Sequence, residues 1–437
     1  MKQHITTLCV LCLLCALCVP AQAQWIRVWQ NGESTRYAIS DASTIPYSTA
    51  GSTLTIDGDT YSTAAIDSIT IVNPVTIRWS GATASVDIPE SVEGVTATIE
   101  GGDVIITNTN EVTEQEFILT GNGTEGSLTY YGTYKCKFHL YDVSLTSNTG
   151  AAIDIQCGKR IDLILEDGTV NSLSDYASGT QKAALNCQGH LEVSGSGTLN
   201  IAGNCNHALR SKEYLLLKKT TGTINITKAA ADGIHCGEFF QMNGGQIAIS
   251  GIGSDGLQVE TDSNSEEALN GQFIMNDGSI DITMTAEDTK GIRLDADEAG
   301  TIVPQMYLLE GTVNVNVTNT SLGSKAIDCD GNITIGSATT SPIVTLTVAA
   351  KRYEDSDGET SRATGLKADG DILIAGGATT ITASGKKSRG VNAASLTATG
   401  GTLKIAATGS SSYAYNSETA STGYTFVQNG GTIIVTY

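Results

Sequence analysis

The sequence predicts an all-β chain wound as a parallel β-helix, a solenoid with a small β module before it. Three observations predict this. Apolar and polar residues alternate with period two throughout, and no stretch keeps a helical period. Short apolar strands recur about every 24 residues. Gly, Asn and Asp separate them, with 48 Gly but only 6 Pro in 437 residues, which suits many strands and tight turns.

The repeat is plainest between Lys228 and Glu260. Asp232-Gly233-Ile234-His235-Cys236 is followed 23 residues later by Asp255-Gly256-Leu257-Gln258-Val259, with a short strand Gly245–Ile249 between them. A unit this short has one apolar face and nothing to bury it against. Copies stacked on one another bury it, and periods of this size mark solenoids.

Each unit is aligned on one apolar anchor preceded by Gly or Ala and followed by a polar residue. The anchors are Ile153, Leu185, Leu209, Ile234, Leu257, Ile292, Ile327, Leu366, Val391 and Tyr415. Their spacings are 32, 24, 25, 23, 35, 35, 39, 25 and 24, so some units carry insertions of about ten residues or more. At about 3.3 Å per residue, 24 residues fit three short strands bent around a triangle. The residue two after each anchor shares its inward face. The residues between, Asp154, Asn186, Arg210, His235, Gln258, Arg293, Asp328, Lys367, Asn392 and Asn416, are polar and predicted to face out. Each large aliphatic side chain stacked inward contributes roughly 1.5–3 kcal/mol.

Before the solenoid come two segments of different character. Residues 1–23 read as a secretory signal: Lys2 and His4, an apolar run Ile5–Val19, then Ala21-Gln22-Ala23 before Gln24. The run is short for a membrane span, so a secreted chain is expected, in the periplasm, at the cell surface or outside the cell. Residues 24–80 hold all three Trp and read as a β module or cap, with a hairpin Leu54–Tyr61 turning at Asp57-Gly58. The solenoid is expected over residues 81–437.

Ten Cys are present, four of them in the signal. Cys187, Cys236 and Cys329 share the inward column but lie two or more coils apart, roughly 10 Å at about 4.8 Å per coil, too far for a disulfide. They read as core thiols.

The net charge of −21 argues against nucleic acid and anionic lipid as partners. A monomer is expected. Asp232 and Asp255 occupy the same slot on adjacent coils, which would bring their carboxylates within about 5 Å. Calcium tolerates such oxygen clusters, and Asp288, Asp295 and Asp328 offer further ligands; the same aspartates also suit turns before Gly. Arg210, His235, Arg293 and Lys367 line the outward column, where they can grip the carboxylates of an anionic ligand or neutralise nearby acids. The small residue before each anchor fits a sharp corner, or a smooth surface beneath a sugar ring.

The segment Ala151–Asp175, with its run Gly158-Lys-Arg-Ile-Asp-Leu-Ile-Leu-Glu-Asp-Gly-Thr-Val-Asn-Ser-Leu-Ser-Asp175, and the segment Ala231–Cys236 resemble the secreted bacterial right-handed β-helix proteins called carbohydrate-binding domain-containing proteins, whose shape is related to that of pectate lyases. The resemblance covers roughly residues 85–437. The leading module resembles the N-terminal segments of Bacteroidetes-type exported proteins. The resemblance implies binding of acidic polysaccharide such as polygalacturonate, with calcium held on the helix exterior. No lyase motif or paired-carboxylate signature is present, so binding without turnover is the expected activity. A calcium-dependent lyase of β-helix type and a structural surface adhesin are the alternatives.

Overall fold

The structure is a computed structural model that describes residues 24–31, 33–39, 52–56, 58–354, 356–358, 360–416 and 426–437. The signal-peptide reading of residues 1–23 lies outside the described residues. Among the described residues all regular structure is strand, and no helix is long and apolar enough to cross a membrane.

The chain forms a parallel β-solenoid. Each coil contributes three strands, as in Ala183–Cys187, Leu191–Ser194 and Thr198–Gly203. The first strand of each coil joins a 13-stranded sheet, termed sheet A. The other two join a 24-stranded sheet made of two ladders, sheets B and C. The long strand Cys136–Thr146 links the ladders, its first half pairing with Ile161–Leu165 and its end with Val170–Ser174.

The ten anchors stand opposite one another down sheet A, from Ile153 to Tyr415. Nine are fully buried, and the tenth, Tyr415, packs partly buried against the core. The polar residues after them form an unbroken column in the same register. The inward residues from Ile155 to Ala393 are also buried, while Ser417 lies outside the described residues. A parallel ladder requires this: in-register stacking places like side chains over like, so an apolar column is buried along its whole length.

The thiols behave as core residues. Cys136, Cys157, Cys187, Cys236 and Cys329 are free and buried, and Cys205 is half-buried. Burial pushes the Cys187 and Cys329 thiols up to about 12.

At the first coil the sheet edges do not end bare. Thr83–Asp87 pairs antiparallel with Val75–Gly81, and Val95–Glu100 pairs antiparallel with Gly102–Asn108. The short strands Thr83–Asp87 and Val95–Glu100 are themselves the terminal strands of their sheets, and short edge strands offer little to pair with other chains. A separate antiparallel sheet of Gln24–Gln30, Glu33–Ile39 and Ser68–Val72 has its own small core around Ile26, Val28 and Tyr37. The hairpin Thr53–Ile56/Asp59–Ser62 packs on it.

This small sheet meets the flank of the first coils through a largely buried chain of polar contacts. Arg27 donates to both oxygens of Glu116, at 2.5 and 3.0 Å. His139 lies between Glu116, 3.0 Å from Nε2, and Glu166, 2.7 Å from Nδ1. Arg36 donates to Glu166 at 2.9 and 2.5 Å, and its guanidinium sits 4.0 Å from the Trp25 ring centre.

Candidate functional site

The outer surface of sheet A is not a simple alternation. The residue before each anchor, Ala or Gly, points inward next to the anchor. Ala152, Ala184, Ala208 and Ala326 are fully buried. A Cβ on Gly256 would stand 2.4 Å from the Gly291 carbonyl oxygen and 2.9 Å from an Ile282 methyl carbon. Gly233, Gly291, Gly365 and Gly390 are equally tight. These residues are small because the neighbouring coil and sheet C close on them; they form no platform for a sugar. Two inward residues in succession break the period of two. The residue two before the anchor is therefore returned to the outer face, beside the residue one after it.

Sheet A thus presents two polar columns. One runs Asn186, Arg210, His235, Gln258, Arg293, Asp328, Lys367. The other takes the slot two before the anchor: His207, Asp232, Asp255, Lys290, Lys325, Thr364, Arg389. Its chemistry changes from imidazole and carboxylate in the middle coils to cationic further along.

In the middle coils Asp232 is buried. Its Oδ1 accepts the main-chain N–H of Asp255 at 2.9 Å. Its Oδ2 lies 3.1 Å from Nδ1 of both His207 and His235. The two imidazoles stack with centres 4.4 Å apart. The far nitrogen of His235, Nε2, faces Glu260 at 3.4 Å. Burial opposes charge on His235, but its hydrogen bonds to Asp232 and Glu260 outweigh it and raise its pKa to about 9. Asp255 repeats the pattern one coil on: Oδ1 accepts the Lys290 N–H at 2.7 Å and Oδ2 accepts from Arg293 at 3.2 Å.

Further along, the two columns wall a cleft of about 440 Å³ lined by Lys290, Arg293, Lys325, Arg362, Lys367 and Arg389. Asp288, Asp328 and Asp330 also line it, so six cations face three carboxylates. The 39-residue spacing between Ile327 and Leu366 supplies one wall: its insertion folds back as an antiparallel pair, Tyr353–Glu354 with Thr360–Ser361. Ser361 lies 3.2 Å from the Lys325 ammonium. Burial pulls Lys325 below the usual lysine range. Lys367 is half-buried, but Asp328 and Asp369, at 2.8 and 3.0 Å, hold it above that range.

The sequence-derived residues separate into these two places. Arg293 and Lys367 reach the cleft, with Asp288 and Asp328. His235 lies in the imidazole cluster, and Arg210 donates to Asn186 at 3.2 Å nearby. Asp232 and Asp255 are on adjacent coils in the same slot, as the spacing requires. The five aspartates, however, do not fit calcium. Asp232 and Asp255 each give one oxygen to a main-chain N–H and the other to a nitrogen side chain. Asp295 accepts from Arg293 and Gln258 at 2.5 and 2.7 Å, and Asp328 faces Lys367. Asp288 stands apart, 4.0 Å from Lys325. Calcium takes six to eight oxygens in one shell, and these oxygens point at donors.

His207, Lys290, Lys325 and Arg389 are the residues that reading outward columns by strict alternation misses. Reading the slot two before each anchor in every coil finds all four. A similar signal marks a ladder of rings, His190, Tyr214 and Phe239, spaced 24 and 25 residues apart and stacked with centres 4.3 and 4.5 Å apart.

Comparison with known proteins gives two matches. The family model described as carbohydrate-binding domain-containing protein matches residues 100–411. A solved structure, the polysaccharide lyase-like protein from C. thermocellum in its gadolinium derivative, aligns at 22% identity with a TM-score of 0.49, covering 62% of this chain and 100% of that one. No curated protein matches the sequence.

Proposed function

The chain belongs to the carbohydrate-binding domain-containing protein family, and from that premise we propose that it binds acidic polysaccharide, of the polygalacturonate or pectin kind, in the cleft of sheet A without turning it over. One observation carries the choice of an acidic glycan: a chain of net charge −21 gathers six cationic side chains in one cleft. Asp288, Asp328 and Asp330 offset part of this charge, and an anion entering the cleft would offset more. Arginine offers a planar fork that matches a carboxylate and lysine a compact charge, so both suit the uronate groups of a polysaccharide. The parallel stack repeats these groups along one direction, as a polymer repeats its own. The secretory reading of residues 1–23 supports a location where such polymers are met.

Catalysis would need a base beside an acidified sugar proton. Arg293 and Lys367 are each engaged by two carboxylates, which keeps both protonated and argues against either as that base.

The test is electrophoresis of the mature chain through gels containing polygalacturonate or a neutral glucan, with calcium or with chelator. The same protein is incubated with polygalacturonate and followed at the absorbance of unsaturated products. Retardation by polygalacturonate alone, weakening as salt rises, with chelator making no difference and no product formed, is the expected result. New unsaturated product would make the protein a lyase. Free migration in the polygalacturonate gel, with calcium and with chelator, would leave the stack a spacer.

A further inference from the structure

We propose that His207, Asp232 and His235 form a binding site for a single divalent metal ion of the zinc class, apart from the cationic cleft. These three are brought together from two adjacent coils, with one ligand atom from each lying within 4.8 Å of the others. The carboxylate oxygen Oδ2 stands 3.1 Å from Nδ1 of each imidazole. A tetrahedral ion with bonds of about 2.0–2.1 Å needs ligand atoms about 3.3 Å apart. The two measured edges are thus close to what such an ion requires. The third, between the imidazole nitrogens, lies within 4.8 Å, and the stacked rings must turn for both lone pairs to meet the ion.

The surroundings fit as well. Asp232 is fixed by the Asp255 N–H on Oδ1, which leaves Oδ2 as a single, oriented donor. Glu260 faces the far nitrogen of His235 at 3.4 Å, the position of the carboxylate that commonly orients a metal-bound histidine. Two nitrogens and one carboxylate oxygen favour zinc, copper or nickel over calcium or magnesium, which take oxygen shells. Three protein ligands leave a fourth position for water or a ligand oxygen.

The experiment uses the mature chain without an oligohistidine tag, stripped with chelator and titrated calorimetrically with zinc and, separately, calcium. Cobalt substitution is followed by its visible absorption, which reports tetrahedral coordination. One equivalent of zinc should bind, calcium should not compete, and cobalt should give tetrahedral bands. His207→Ala and His235→Ala should each abolish the bands and weaken zinc by more than the roughly 10–100-fold that a second-shell partner contributes. Glu260→Gln should weaken zinc by about tenfold. Asp232→Ala is avoided because it also removes the cap on Asp255. No zinc binding by the wild-type chain, or zinc binding and cobalt bands unchanged in both histidine variants, would overturn the proposal. Neither result depends on glycan binding.

Discussion

Asp232 accepts the main-chain N–H of Asp255, the residue in its own slot one coil further on, at 2.9 Å. Asp255 does the same for Lys290 at 2.7 Å. The break in alternation that turns this slot outward also takes its amides out of the regular ladder, and a buried amide without an acceptor is costly. The carboxylates supply the missing acceptors. Their first role is structural, and the polar face rests on them.

Replacing Asp255 separates the cap from the charge. Asp255→Ala leaves the Lys290 amide and the Arg293 guanidinium without this partner and should cost about 2 kcal/mol. Asp255→Asn keeps an acceptor for the amide and should cost less. Denaturant midpoints of the two variants check the order.

Gly256 tests the closeness of the coils. A larger side chain there meets the Gly291 carbonyl and Ile282. Gly256→Val should lower stability by about 1–3 kcal/mol, the usual cost of overpacking. Chemical denaturation measures it, and an unchanged midpoint would contradict the packing.

Acid should loosen the N-terminal sheet from the solenoid. Burial alone would raise the carboxyls of Glu116 and Glu166, but the hydrogen bonds from His139, with Arg27 on the first and Arg36 on the second, outweigh it and hold both at about 2. Both groups therefore titrate lower when folded than when unfolded. The stabilisation they give is complete above the ordinary value of 4.5 and fades as pH falls towards 2. It is on the order of 3 kcal/mol for Glu116 and smaller for Glu166, which is screened by solvent. Trp25 lies 4.9 Å from the His139 ring, so its fluorescence reports the change. Glu116→Gln should flatten the response across that window.

The solenoid was legible in the sequence because its anchors obey a simple rule. An apolar residue recurs with one small residue before it and one polar residue after it, and a parallel ladder keeps that register from Ile153 to Tyr415. The cleft was half legible. Arg293 and Lys367 follow the alternation rule and were found; Lys290 and Lys325 sit two before the anchor, where that rule places an inward residue. Gly256 and its equivalents overturn the rule because they pack inward themselves, which a one-dimensional pattern does not show. The wall at Ser361 was visible only as extra length. The Arg27–Glu116 pair joins residues 89 apart in different sheets, and no local spacing marks it.

The most direct measurement is the affinity of an oligogalacturonate for the wild-type chain and for Lys290→Gln and Lys325→Gln, by calorimetry in calcium-free buffer at two salt concentrations. Binding through the cleft predicts that each variant loses about tenfold, as expected for one charge-assisted hydrogen bond, and that wild-type affinity falls as salt rises. Equal affinity in all three proteins, or binding that appears only when calcium is added, would contradict it.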